Sequence, residues 1–390
     1  MFKRASSLII ILFSASLISA AAVSAQGFSL AKLPSVDTFF KNAPKQYFIK
    51  TADGWTLSLY RYMPEKLDLK KEPLILCHGF NYNSYTWDLD ANHSLARYLR
   101  DKGYDVWSVN LRGSGDSSKP AMSDLRSMTK LQFEKMPQIL MRAPTNINKY
   151  DWTIDDHIHK DLPAIIEFVK SVTKKSQVTW IGHSMGGMVM YGYLVSENPR
   201  NIKNFVAIGS MVNVKQPPNP VLALVAEQKP ITDASLLINT TVAYQLRNLT
   251  LGAFKLPWEE LFYNKENMDD VTAIQMFRIA IDDTAPGVIA QFCEIIKNGD
   301  FMSVDKKINY TAGLPGITLP MLLVAGGKDS LGTLETAHYA YEHVSSSNKH
   351  LEVFSLENGY SADYGHCDLL LGKRSRDEVY PFIWRWLKEN

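Results

Sequence analysis

Ser184 stands at the centre of residues 182–186, which read Gly-His-Ser-Met-Gly. The residues before it, 177–181, are β-branched and aromatic and predict a short buried strand, whereas residues 187–194 after it predict a helix. A serine at the apex of a tight strand-to-helix turn is exposed and can attack an acyl carbonyl as a nucleophile. The chemistry predicted for this position is therefore acyl transfer through a covalent serine intermediate.

Small residues must flank such a serine, because the strained turn leaves no room for side chains two positions before and after it. Gly182 and Gly186 meet this requirement and are interpreted as structural residues of the turn. The backbone N–H of Met185, at the start of the following helix, can stabilise a developing oxyanion. Three fixed residues are a weak signal alone, so a base, an acid and a second oxyanion donor must be found elsewhere.

The base and the acid are predicted from the carboxyl ends of later strands, where open parallel sheets place their sites. Asp329 follows the apolar strand predicted at residues 319–325, and His366 lies in the loop between the last predicted strand and the last helix. The resulting chain order is Ser184, Asp329, His366, which is the order expected of a serine–acid–histidine triad on this type of sheet. We therefore predict these three as catalytic residues.

Each partner has an alternative interpretation. Asp329 could instead be the N-cap of a helical segment that begins at Ser330. Asp363 and Asp368 flank His366, but neighbours on one loop seldom hold an imidazole from the correct side. Six other histidines fall on predicted helices or polar edges and are expected to lie on the surface: His93, His157, His159, His338, His343 and His350.

The second oxyanion donor is predicted to be the backbone N–H of Phe80. This residue follows the short apolar strand at 74–77 and the dipeptide His78-Gly79. A loop at this position supplies an N–H that faces the nucleophile. His78 is interpreted as a residue that braces the loop rather than as a catalytic group.

The predicted elements indicate an α/β fold with a mostly parallel central sheet flanked by helices. An antiparallel hairpin at residues 46–60 comes first, and alternating strands and helices follow. About a hundred residues then interrupt the alternation and predict a mainly helical cap inserted over the strand ends. The predicted organisation is a signal peptide (1–25), an N-terminal arm (26–44), the first part of the core (45–210), a cap (211–314) and the second part of the core (315–390).

The N-terminus predicts export. Lys3 and Arg4 precede an apolar run at residues 8–23, and small residues at 23–25 favour cleavage after Ala25, although an uncleaved anchor helix is the alternative. The expected location is therefore secreted or periplasmic. Cleavage would lower the formal net charge from +2 to 0, because the removed segment carries two cations and no anions. A neutral chain gives no electrostatic reason to expect a nucleic-acid partner.

The cysteines and histidines predict no metal site. The chain has three cysteines, Cys77, Cys293 and Cys367, and no Cys/His cluster at metal-ligand spacing. Cys77 lies in a predicted core strand and is expected to be a small buried apolar residue. Whether Cys293 and Cys367 pair is left open by the sequence.

Six segments of the chain carry a resemblance: residues 77–80, 103–107, 110–113, 182–186, 326–329 and 364–368. Together they resemble the α/β-hydrolase superfamily, and specifically the acid-lipase branch (gastric and lysosomal lipase type) with its bacterial relatives. The similarity covers roughly residues 45–210 and 315–388 and fades across the cap. At the serine turn, Met185 stands where that branch usually has Gln. In this respect the turn resembles the Gly-His-Ser-Met-Gly of many bacterial esterases and lipases.

The resemblance implies a serine esterase or lipase that cleaves carboxylic esters and needs no cofactor. The implied partners are a small-molecule or lipid ester substrate and transient contact of the cap with a lipid interface; the oligomeric state is left open. The same triad could also cleave amides or peptides, or transfer an acyl group to an alcohol. A binding protein on a hydrolase scaffold without activity is the remaining alternative.

Overall fold

The computed structural model describes residues 44–119, 152–214, 257–282 and 284–390. Their central feature is an eight-stranded sheet with the strand order β1-β2-β4-β3-β5-β6-β7-β8. The first two strands pair antiparallel, β2 pairs antiparallel with β4, and every other neighbouring pair is parallel. The strands are β1 (Lys45–Lys50), β2 (Thr56–Tyr62), β3 (Leu74–Cys77), β4 (Val106–Val109), β5 (Val178–His183), β6 (Ile202–Ile208), β7 (Met321–Gly326) and β8 (Lys349–Phe354).

Helices follow most strands, as the predicted alternation requires. They are α1 (Leu95–Asp101), α2 (Leu162–Thr173), α3 (Met185–Ser196), α4 (Asp270–Ile279), α5 (Pro286–Asn298), α6 (Leu334–His343), α7 (Asp368–Leu371) and α8 (Val379–Glu389). A short helical turn at Ile154–Asp156 and a π-helical stretch at His157–Asp161 lead into α2. Single 3₁₀ turns lie at Ser84–Trp87, Pro199–Asn201, Pro257–Leu261 and Leu314–Gly316.

The central strands are buried on both faces, which explains their continuous apolar runs. Every residue of β3, β4, β5 and β7 is buried. Two apolar clusters cover the two faces of the sheet: one gathers α2 and α3, and the other gathers α1, α4 and α8. Because both faces are covered, only the edges of the sheet at the strand ends remain for a site. The fold class expected from the sequence is confirmed.

The sequence predicts a helix over residues 153–172, because Thr153 followed three residues later by Asp156 is typical of a helix start. This helix is present, but it is not uniform. Its start has the expected pattern, since the Thr153 N–H donates to Asp156 Oδ2 at 2.8 Å. The expectation that His157 lies on the surface is wrong. His157 is buried in the π-helical stretch, where its Nδ1 donates to Asp161 at 2.8 Å and Asp161 also binds Arg112.

The predicted cap lies partly within the described residues. Between β6 and β7, the described segments 257–282 and 284–314 contain α4, α5 and two 3₁₀ turns. Met276 and Phe277 of α4 are buried in the apolar cluster on one face of the sheet, so they serve packing. The predicted signal peptide, the arm up to residue 43, residues 120–151 of the core and cap residues 215–256 lie outside the described residues.

All three cysteines are free and buried, so Cys293 and Cys367 do not pair. The interpretation of Cys77 as a buried apolar residue is confirmed, because it is fully buried within β3. Within the described segments, no helix is long and apolar enough to cross a membrane.

Candidate active site

Ser184 occupies the turn between β5 and α3 with a backbone φ of 54° and ψ of −121°. A side-chain-bearing residue in this conformation is strained, and such strain is concentrated at functional sites. A backbone hydrogen bond fixes the turn to the neighbouring strand, because the Ser184 N–H donates to the Ile208 carbonyl at the end of β6 at 2.8 Å. The α3 helix begins directly at Met185, so its first N–H groups have no partner within the helix.

Close backbone packing explains the two glycines of the turn. A Cβ at position 182 would lie 2.3 Å from the Gly186 carbonyl, and a Cβ at position 186 would lie 2.2 Å from the Cys77 carbonyl oxygen. Both distances are far inside van der Waals contact. Gly182 therefore lets α3 approach β5, and Gly186 lets α3 approach the end of β3.

Asp329 and His366 form a direct, buried pair. His366 Nδ1 donates to Asp329 Oδ2 at 2.9 Å and lies 3.1 Å from Oδ1. The His366 side chain is 1% exposed and the Asp329 side chain 0% exposed. Because Nδ1 carries the donated proton, Nε2 of the neutral ring is free to accept another. The imidazole is thus held in the tautomer that a general base requires.

Backbone N–H groups hold the Asp329 carboxylate from its other side. Its Oδ1 accepts hydrogen bonds from the N–H groups of Leu331 and Gly332, both at 2.8 Å. The carboxylate therefore makes the local turn contacts that the N-cap interpretation anticipated, and it binds the imidazole as well. The N-cap interpretation and the triad interpretation of Asp329 are therefore compatible, because one carboxylate makes both sets of contacts.

The loop at residues 78–83, named here the oxyanion loop, lies against Ser184. An added Cβ at Gly79 would lie 2.9 Å from Ser184 Cβ. His78 Nδ1 donates to the Gly79 carbonyl at 2.8 Å, and His78 Nε2 accepts the Leu111 N–H at 3.2 Å. Since the peptide unit is planar and trans, holding the Gly79 carbonyl also fixes the direction of the Phe80 N–H. His78 braces the loop, as the sequence predicted.

His183 connects the serine turn to the histidine loop. Its Nε2 donates to the backbone carbonyl of His366 at 3.0 Å, and the centres of the two imidazole rings are 4.6 Å apart. Burial lowers the pKa of His183 to about 3, with the neighbouring His366 as a second cause. The His183 ring is therefore neutral and connects the Ser184 turn to the His366 loop.

Asp368 ties the same loop to the segment before α4. Its carboxylate accepts the Gly365 N–H at 2.9 Å, the Asn264 N–H at 3.0 Å and the Asn267 side-chain amide at 2.8 Å. Burial raises the pKa of this carboxyl to about 6 in spite of these hydrogen bonds. Its oxygens are engaged by these three donors, whereas the carboxylate that binds the His366 ring is that of Asp329.

Gly209, at the end of β6, makes room for the Asp329–His366 pair. Its φ is 54°, and an added Cβ would lie 2.9 Å from Asp329 Oδ2 and 3.2 Å from His366 Nδ1. This residue is not among those predicted from the sequence. The only sequence signal was a glycine directly after a buried strand. The need for glycine comes from Asp329, which follows β7, and from the His366 loop, both more than a hundred residues away.

Gly209→Ala is expected to lower kcat by about 10²-fold, because the added methyl group displaces the acid–base pair from its working geometry. The strain of alanine at positive φ should cost only about 1 kcal/mol of unfolding free energy. Gly359→Ala is the matched control, since Gly359 also has a positive φ of 84° but no atom within 4 Å of an added Cβ. Ester-hydrolysis kinetics and thermal melts of both variants test this. Equal loss of kcat in the two variants would contradict it.

The buried histidines predict how stability depends on pH. Burial lowers the pKa of His78 to about 4 and of His183 to about 3, whereas unfolded histidine titrates near 6.5. Between pH 6 and 4.5 these two histidines are therefore protonated in the unfolded chain but not in the folded chain. The unfolding free energy consequently falls as the pH is lowered. Asp368 acts in the opposite sense, because its raised pKa lets the folded state take up a proton first.

His183→Asn should remove one of these proton differences. The slope of unfolding free energy against pH between 4.5 and 6 is then expected to decrease by about 1.4 kcal/mol per pH unit. Urea unfolding of both proteins at several pH values measures this slope. Parallel curves for wild type and variant would show that His183 titrates normally in the folded protein.

The structure brings the predicted site residues to one edge of the sheet. Asp329 and His366 are in direct contact, Ser184 is joined to them through His183, and the loop that holds Phe80 packs on the serine. Within the described residues, no group of three or more His, Cys, Asp or Glu side chains is placed so as to hold a metal ion.

Comparisons with known proteins find similar lipases and an esterase of the same fold. Gastric triacylglycerol lipase of Rattus norvegicus is 23% identical over 386 residues, covering 88% of each chain. Lipase member K of Homo sapiens is 29% identical over 188 residues, covering 46% of this chain and 42% of its own. Among solved structures, the esterase EaEST of Exiguobacterium antarcticum has the same fold, with a TM-score of 0.54, 21% identity and coverage of 87% of this chain and 98% of its own.

The family comparison covers most of the sheet and the candidate site. The family model for the alpha/beta hydrolase fold matches residues 72–370, which extend from the strand before the oxyanion loop to α7. This span includes all the predicted site residues. The chain therefore belongs to the α/β-hydrolase fold family.

Proposed function

We propose that this protein is a carboxylic ester hydrolase in which Ser184 is the nucleophile, His366 the general base and Asp329 the acid that orients it. The observation that carries the proposal is the buried Asp329–His366 pair, joined at 2.9 Å, beside a serine in a strained strand-to-helix turn. The lipase and esterase names of its relatives support an ester as the substrate.

Acylation begins when Ser184 Oγ attacks the ester carbonyl. His366 Nε2 takes the serine proton, and the imidazolium that forms is stabilised by the Asp329 carboxylate. The carbonyl oxygen becomes an oxyanion that accepts hydrogen bonds from the Phe80 and Met185 N–H groups. Collapse of this intermediate breaks the bond to the alkoxy group, which leaves as the alcohol with the proton from His366.

Deacylation repeats the sequence with water. His366 removes a proton from the water as it attacks the acyl-enzyme carbonyl, and the same N–H groups hold the second oxyanion. The proton then passes to Ser184 Oγ as the carboxylic acid leaves. An oxyanion donor contributes on the order of 3 kcal/mol, so the oxyanion loop accounts for a large share of the rate.

The substrate side of the proposal rests on the relatives and the cap. Several relatives are named lipases, which favours a lipid ester. Residues 211–314 form the proposed cap over the site, and transient contact of this cap with a lipid interface would deliver such a substrate. The apolar N-terminal run at residues 8–23 supports export to the periplasm or the medium.

Hydrolysis of p-nitrophenyl esters from acetate to palmitate tests the proposed function. The proposal predicts turnover of this series by wild type and none above background by Ser184→Ala. A rate that peaks at long chains and rises above the solubility limit would identify a lipase, and a peak at short chains an esterase for soluble substrates. Wild type that is labelled at Ser184 but hydrolyses no member of the series would overturn ester hydrolysis in favour of amide cleavage or acyl transfer.

A further inference from the structure

A short stretch directly after α4, residues 279–282, lies against the oxyanion loop. The two segments pair as an antiparallel bridge between Tyr82 and Ile281. On one side of the bridge the Asp282 N–H donates to the Asn81 carbonyl at 2.9 Å, and on the other the Asn83 N–H donates to the Ala280 carbonyl at 3.1 Å. Part of the predicted cap is thus paired with the loop that holds the oxyanion donor.

The Asp282 side chain reinforces this pairing. Its Oδ2 accepts the Asn83 side-chain amide at 2.8 Å and the Gly115 N–H at 2.7 Å. Its Oδ1 accepts Lys119 Nζ at 2.5 Å, and the carboxylate is 16% exposed. One carboxylate therefore joins the oxyanion loop, the loop after β4 and the predicted cap.

These contacts are one hydrogen bond away from the oxyanion donor. The Tyr82 N–H donates to the Gly79 carbonyl at 3.3 Å, and this carbonyl belongs to the same planar peptide unit as the Phe80 N–H. A shift of Tyr82 away from its bridge would release one of the two hydrogen bonds on that carbonyl, leaving only the His78 bond. The direction of the Phe80 N–H then becomes less defined.

We infer that Asp282 is a positioning residue that fixes the oxyanion loop in its working conformation, so that docking of residues 279–282 assembles the oxyanion hole. The inference rests on the proposed function, in which the Phe80 N–H stabilises the oxyanion. It assigns to this part of the cap a role in the rate of the chemical step, beyond covering the substrate.

The alternative is that Asp282 only attaches the cap to the core. Asp155 provides a matched comparison, because it is another carboxylate that joins the region of α5 to the core. It accepts the Gln291 side-chain amide at 2.8 Å and the Val304 N–H at 2.7 Å. None of its hydrogen-bond partners belongs to the oxyanion loop.

The experiment compares wild type, Asp282→Ala, Asp282→Asn and Asp155→Ala by ester kinetics and by hydrogen exchange of peptides that cover residues 79–89. Asp282→Ala is expected to lower kcat by about 10²-fold with KM changed less than about threefold, because the lost interaction acts on the transition state. Asp282→Asn keeps one acceptor for Asn83 and Gly115 and should recover most of kcat. Asp155→Ala should lower the melting temperature while kcat stays within about threefold.

Hydrogen exchange separates this inference from the proposed function. Faster exchange of residues 79–89 in Asp282→Ala, but not in Asp155→Ala, supports the positioning role. This holds even if wild type hydrolyses no ester, a result that would contradict only the proposed function. Unchanged exchange of these residues in Asp282→Ala overturns the inference. Equal losses of kcat in Asp282→Ala and Asp155→Ala overturn it as well.

Discussion

Ser184→Ala is expected to lower kcat for p-nitrophenyl ester hydrolysis by about 10⁵-fold, to a rate close to the background. The reason is that no other hydroxyl is placed in the strained turn at the start of α3, so the acyl-enzyme cannot form. Alanine fits the volume of serine, and the turn is held by backbone hydrogen bonds such as that from the Ser184 N–H to Ile208. Steady-state kinetics with circular dichroism measure both effects.

Ser94→Ala is the control for a general loss of stability. Ser94 is also a buried serine, but its Oγ caps α1 by accepting the Arg97 N–H at 3.0 Å. Loss of this cap should cost about 1 kcal/mol of unfolding free energy and leave kcat unchanged. Substantial turnover by Ser184→Ala, with Ser94→Ala equally active, would remove Ser184 from the mechanism.

Asp329→Asn should produce the second largest loss, about 10⁴-fold in kcat. An amide that donates towards His366 Nδ1 favours the wrong tautomer, in which Nε2 carries the proton and cannot act as a base. The loss should appear in kcat more than in KM, because the carboxylate stabilises the imidazolium of the transition state. Activity of the variant measured with p-nitrophenyl esters tests this.

Asp363→Asn is the matched control for that substitution. Asp363 lies three residues before His366, and its Oδ1 accepts the Leu356 N–H at 2.9 Å, just after the end of β8. This variant is expected to keep kcat within about threefold of wild type. A comparable loss in both variants would mean that the negative charge of the region, rather than the contact with His366, sets the rate.

The positions of the main elements could be predicted because the parallel strands are short, apolar and buried on both faces. The strand predicted at residues 74–77 coincides with β3, and the hairpin predicted at residues 46–60 corresponds to the antiparallel pair β1 and β2. The helix at 153–172 was less predictable. In its π-helical stretch the buried His157 binds Asp161, four residues on, and Asp161 in turn binds Arg112 from a distant part of the chain.

The candidate site was predictable as a set of residue types, but not as an arrangement. Residue order and strand ends sufficed to propose Ser184, Asp329 and His366. The supporting roles of Gly209 and Asp282 could not be inferred, because each depends on a close approach between segments far apart in sequence. A glycine or an aspartate in a loop has many local explanations, and only the folded chain shows which neighbour requires it.

Covalent labelling with a fluorophosphonate, followed by mass spectrometry of the digested protein, tests the central claim most directly. The reagent phosphonylates a serine that is activated by a neighbouring base, whatever the natural substrate is. We predict one modified peptide, with the label on Ser184, and loss of labelling in Asp329→Asn and in a His366→Ala variant. A label on another residue, or no label on wild type that still hydrolyses esters, would contradict the assignment of Ser184 as the nucleophile.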